Sequence, residues 1–117
     1  MDIENVCRLF ELISGEDSEE RMPFIDQAVG EVVRMLKDPR FAVIPCIEHL
    51  AASLANYRMC LAFLTKEQHA VRSGGGATSE YNGTLRLENA RILVAEQKKH
   101  CADYIIDKDF VFFGTRG

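Results

Sequence analysis

The sequence predicts a mainly α fold: a small helical bundle of about four helices with a short β-hairpin arm and an extended apolar C-terminal tail, all in one domain over residues 1–117. Three observations lead there. Apolar residues recur at spacings of three and four over several long stretches, the signature of one face of a helix. A glycine run and an Asn-Gly pair break that periodicity near residue 80. An apolar cluster, Phe110, Val111, Phe112 and Phe113, then stands a few residues from the C-terminus. A chain of 117 residues buries roughly 65% of its extended surface on folding, enough for one core. With 47% hydrophobic and 27% charged residues the chain has the balance of a globular protein rather than a disordered one.

In the first segment Ile3, Val6, Cys7, Phe10 and Ile13 share one helical face, and Ser14-Gly15 supplies a stop. The second stripe, Ile25, Ala28, Val29, Val32, Val33 and Leu36, follows the acidic residues Glu16, Asp17, Glu19 and Glu20, which suit the positive end of a helix. Asp17 or Ser18 is the expected cap, Pro23 belongs in the first turn, and Asp38-Pro39 ends the helix. Residues 40–44 read as a linker. From Pro45 a third stripe runs through Ile47, Leu50, Ala51, Leu54, Ala55, Leu61 and Ala62, interrupted by Arg58. Its small residues, Ala51, Ala52, Ser53 and Ala55, permit close approach of other helices, so this is the expected central helix.

Beyond Leu64 the composition changes. Gly74, Gly75 and Gly76 carry the highest backbone entropy cost of any residue in a helix and predict a flexible loop or arm. Asn82-Gly83 is the strongest short hairpin signal, because both central residues of a type I′ turn need positive φ. Leu85 and Leu87 alternate with polar neighbours after it, so residues 77–81 are expected to pair with 84–88. A lone hairpin is marginal in water and needs something to pack on. The last stripe, Ala90, Leu93, Val94, Gln97, Cys101, Tyr104 and Ile105, predicts a fourth helix ending near Ile106, followed by a turn at residues 107–109 and the aromatic tail.

No constellation of residues announces catalysis, and no cofactor or metal is expected. Cys46-x-x-His49 has a helical spacing, yet zinc needs three or four ligands and no second pair accompanies it. His100 and Cys101 are adjacent on a helix and point about 100° apart, which suits neither base nor nucleophile. The glycine run lacks the Lys and Ser/Thr of a phosphate-binding loop. Asn82-Gly83-Thr84 fits a glycosylation sequon, but turn chemistry accounts for it. Asp103, Asp107 and Asp109 read as surface acids, and Lys98-Lys99-His100 as a solvated helix face. The cysteines, Cys7, Cys46, Cys60 and Cys101, lie far apart inside apolar stripes and read as buried free thiols rather than disulfides.

The net charge of -4 argues against nucleic acid as the main partner, since phosphate binding rests on Lys and Arg. No apolar run reaches the roughly 18 residues that a bilayer requires, and Met1 is followed by Asp2 and Glu4, so synthesis in the cytoplasm and no membrane partner are expected. Work through protein contacts is the reading that remains. Its candidate interface residues are Gly74, Gly75, Gly76, Tyr81, Asn82, Gly83, Leu85 and Leu87 in the arm, with Phe110, Phe112 and Phe113 in the tail. The tail aromatics either complete the chain's own core or enter a neighbouring subunit.

The order of parts resembles the head-tail connector (adaptor) proteins of tailed bacteriophages and their prophages. The stretches that carry the resemblance are E-E-R-M-P-F-I-D-Q-A-V-G-E-V-V-R-M-L-K, H-L-A-A-S-L-A-N-Y-R, S-E-Y-N-G-T-L-R-L and A-D-Y-I-I-D-K-D-F-V-F-F-G, within residues 5–114. The most specific of them is the closing D-x-D-F-x-F-x-G with the upstream hairpin; the glycine run is longer than that hairpin requires. The resemblance implies a homo-oligomeric ring beneath the portal. Such a ring touches portal and tail-completion proteins and lets DNA pass without binding it specifically. It implies assembly in the bacterial host cytoplasm and a final place in the virion neck. The alternative is a host-side helical adaptor or regulatory protein that binds one protein partner.

Overall fold

The computed structural model describes the backbone of residues 1–72 and 77–106, and the side chains of residues 1–64 and 83–106. Helices α1 (Ile3–Ser14), α2 (Met22–Met35), α3 (Pro45–Arg72) and α4 (Ala77–His100) follow one another, with a 3-10 turn, Pro39–Val43, between α2 and α3. Among the described residues there is no β-strand, only an isolated antiparallel bridge between Leu36 and Ile105.

Helix α1 begins at Asp2, whose carboxylate accepts from the Asn5 amide, and ends at Gly15, whose positive φ of 72° turns its N–H back to Glu11. Val6, Leu9 and Phe10 form its buried face. Helix α2 starts later than the acidic run suggested. Arg21 precedes it with no side-chain cap, and Pro23 sits in the first turn as expected. The expected cap is absent because both candidates are engaged elsewhere: Ser18 gives its N–H and hydroxyl to Glu11, and Asp17 accepts from the Glu19 amide. The segment read as a linker is the 3-10 turn, started by Asp38, which accepts from the Arg40 amide.

Helix α3 is the central element, packed by α1, α2 and α4. Six consecutive residues, Ala51 to Asn56, are all buried, a pattern possible only for a helix covered on every side. The small side chains at Ala51, Ala52, Ser53 and Ala55 allow that enclosure, as the sequence suggested. Larger groups, among them Phe10, Ile25, Ile47, Leu50 and Met59, fill the remaining space. Each such side chain contributes about 1.5–3 kcal/mol on burial. Arg58, which interrupts the apolar stripe, reaches α2 and makes a two-pronged ion pair with Glu31 at 2.5 and 3.2 Å.

The predicted β-hairpin is not formed: the backbone of 77–81 and 84–88 belongs to α4. Among the described residues Gly15 alone has positive φ, so Asn82-Gly83 does not make a type I′ turn. Burial explains the outcome. Leu87, Ala90, Val94 and Cys101 fall on one helical face and pack into the core, a tertiary gain that a two-residue turn preference does not match. Leu85 and Leu87 lie about 200° apart on a helix, so a solvent-facing and a core-facing leucine imitate strand alternation. Leu85 is exposed and Leu87 half-buried.

Helix α4 also stops earlier than expected, at His100 rather than near Ile106. Its C-terminal end lies against the start of α3, where the Cys101 thiol donates to the Cys46 carbonyl at 3.0 Å, so the two helices run antiparallel. The expected turn at 107–109 and the apolar tail lie outside the described residues.

Candidate protein-contact surface

Three local devices determine which faces remain open. At one end, Glu48 on α3 is only 6% exposed, and its two carboxylate oxygens accept from the Asp2 backbone N–H at 2.8 Å and the Asn5 side-chain amide at 2.7 Å. A carboxylate there also meets the positive end of the α1 dipole. Farther along α3, Phe63 receives Phe24 edge-on, with ring centres 6.3 Å apart, and the Arg21 guanidinium 4.8 Å from its own ring centre. Arg21 is held in turn by Glu16 at 3.0 Å.

The third device governs the C-terminal segment. Beyond α4 a turn, closed by the Tyr104 amide donating to the Cys101 carbonyl, brings Ile105 beside Leu36. Lys37 donates its N–H to Tyr104 at 2.9 Å, Ile106 donates to Met35 at 2.6 Å, and the Tyr104 ring meets Phe41 at 5.2 Å. Ile105 is buried, whereas Ile106 is half exposed. Ile106 therefore lies beside the end of α2.

The outer face of α4 carries Leu85 and Ile92, 51% and 43% exposed, seven residues apart and hence nearly in line. Glu88, Asn89, Glu96 and Lys99 are exposed around them. The Arg91 guanidinium beside Glu88 holds that carboxyl below the usual carboxylate range. Elsewhere, the Ser18 backbone N–H, and then its hydroxyl, lower Glu11, and Arg40 lowers Asp38. Burial raises the Cys60 thiol, against an opposing effect of the Arg86 charge.

Among the described residues, the sequence-predicted interface residues share one helix, α4. Leu85 faces outward and Leu87 packs toward the core on the same helix. Gly83 lies within α4, as do Tyr81 and Asn82, whose side chains are outside the described residues. Gly74, Gly75, Gly76, Phe110, Phe112 and Phe113 also lie outside them. His49 and His100 are exposed, while Cys46 is half-buried and Cys101 fully buried. Among the described residues, no three His, Cys, Asp or Glu side chains gather as metal ligands do. No described helix is long and apolar enough to cross a membrane.

No model of a protein family, no curated protein and no solved structure matches the chain.

Sequence reasoning misses two arrangements. Glu48 is unremarkable in an amphipathic stripe, since its partners lie over 40 residues away. The meeting of Cys46 with Cys101 has no local signal either, because it depends on the antiparallel register of α3 and α4.

Proposed function

We propose that this chain is a structural module acting through protein contacts, in the form of a head-tail connector that assembles as a ring beneath a portal, joins capsid to tail and extends the DNA channel. The observation that supports the reading best is the position of Ile106. The bridge to Leu36 places Ile106, the last described residue before the stretch that carries the most specific part of the resemblance, beside the end of α2. The order of helices and the Ala-rich central helix support it as well. In place of a β-hairpin arm, the contact element in this reading is the outer face of α4 that bears Leu85 and Ile92. Net negative charge suits a conduit whose lining does not hold passing phosphates.

The test is light scattering and electron microscopy of the purified protein, alone and with the portal protein of the same genome. Rings seated on the portal are the expected result. A particle that stays monomeric or dimeric and ignores the portal overturns the reading and favours the adaptor of a single partner.

A further inference from the structure

We propose that Cys46 and Cys101 form a modification site: their thiols join in a reversible disulfide that fastens the end of α4 to the start of α3. Cys46 is the second residue of α3, and Cys101 follows the last residue of α4. The Cys101 sulfur lies 3.0 Å from the Cys46 carbonyl oxygen, so it already sits against the residue it would join. Burial, and after it the neighbouring Cys46 thiol, push Cys101 up to about 12. The other cysteines are placed differently: Cys60 donates to Asn56 of its own helix at 3.7 Å, and Cys7 belongs to α1.

The difference in burial between the two cysteines sets the order of events. Cys46 is half-buried and Cys101 fully buried, so a low-molecular-weight disulfide such as oxidised glutathione is attacked first by the Cys46 thiolate. That step forms a mixed disulfide and releases one glutathione thiolate. Cys101 then loses its proton and attacks the Cys46 sulfur, expelling the second glutathione. In sum, two protein thiols and one disulfide donor give one protein disulfide and two glutathione thiols; the protein loses two electrons and two protons, and the donor gains them. The raised Cys101 makes the second step the slow one and faster as pH rises.

The bond would close a loop across 55 residues and hold the turn that carries Tyr104 and Ile105 against Leu36. Oxidation would thereby stiffen the base of the C-terminal tail. This inference does not depend on the connector reading, because its test needs no partner protein.

The folded full chain is equilibrated with oxidised glutathione, remaining thiols are alkylated, and the protein is digested with trypsin without reduction. Trypsin places the four cysteines in four peptides, residues 1–8, 41–58, 59–66 and 100–108. The expected product is 41–58 joined to 100–108, lighter than the sum by two hydrogens and separated by dithiothreitol. It should persist in Cys7→Ser and Cys60→Ser and vanish in Cys46→Ser. Amide exchange at Lys37 and Ile106 should slow on oxidation. Any other pairing, a glutathione adduct at Cys46 that never closes, or two fully alkylated peptides from the folded wild-type protein overturns the proposal.

Discussion

Replacing Gly83 with alanine separates the helical structure from the hairpin that the local sequence suggested, because the two give opposite signs. Gly83 lies more than a turn inside α4, and it is not among the positive-φ residues. In a helix interior, glycine is about 0.8–1 kcal/mol less favourable than alanine, since its backbone has more freedom to lose. Gly83→Ala should therefore stabilise the protein by about 1 kcal/mol, raising Tm by about 4 °C for a domain of this size. In a type I′ turn the same residue would need positive φ, where a Cβ costs roughly 1–2 kcal/mol. The two structures thus differ by about 2–3 kcal/mol in the expected effect, well outside the error of a denaturation midpoint. Urea titration followed by far-UV circular dichroism is the assay, with the helical signal unchanged or increased. A midpoint that falls, together with a loss of helical signal, would refute the argument.

Substitutions at three further positions test other parts of the structure. Ser53 is 1% exposed, and its hydroxyl has no hydrogen-bond partner among the described residues, so Ser53→Ala should gain about 1–2 kcal/mol in chemical denaturation. Ser53→Val should lose about 1–3 kcal/mol by crowding the close contacts of α3; a loss with alanine instead would mean that the hydroxyl is bonded. Glu48→Ala should cost about 2–3 kcal/mol by leaving the Asp2 N–H and the Asn5 amide without their acceptor, and Glu48→Gln should cost less; equal stability of all three forms would dismiss the tie. Glu11 should titrate below its ordinary value of 4.5 in an NMR experiment, and Ser18→Ala should restore it only in part, because the backbone N–H of residue 18 remains. Since its folded value is the lower one, its contribution to stability is present above the unfolded pKa and fades as pH falls through the folded value; a full return to 4.5 would assign the whole effect to the hydroxyl.

The parts of the fold legible in the sequence are those where local and tertiary demands coincide. Helix α1 has its apolar face and its glycine stop within one short stretch, and Pro45 opens α3 as expected. The run of small residues in α3 also kept its meaning, because enclosure by three helices needs small side chains wherever they approach. Legibility fails where a distant partner decides. Asn82-Gly83 favours a turn in isolation, and Leu87 and Ala90 reverse that only once α3 offers them a surface. Ser18 looks like a helix cap until Glu11 claims it from the preceding helix. The end of α4 is likewise set by Ile105 meeting Leu36, which lies far away in the sequence.

The enclosure of α3 also limits where a partner can bind. A helix whose middle is covered on all sides offers no free face there, so contacts must come from the helices around it or from the chain ends. The outward apolar residues are Ile3 and Leu12 on α1, Val33 on α2, Val43 in the 3-10 turn, Leu61 toward the far part of α3, the aligned pair Leu85 and Ile92 on α4, and Ile106 after it. The face of α4 and Ile106 are joined through one short segment, the turn that begins at Cys101 and ends at the Leu36 bridge. A partner gripping the outer face of α4 and one gripping the tail would therefore pull on the same turn. Glu48 and Arg58 hold α1 and α2 to α3 independently of it.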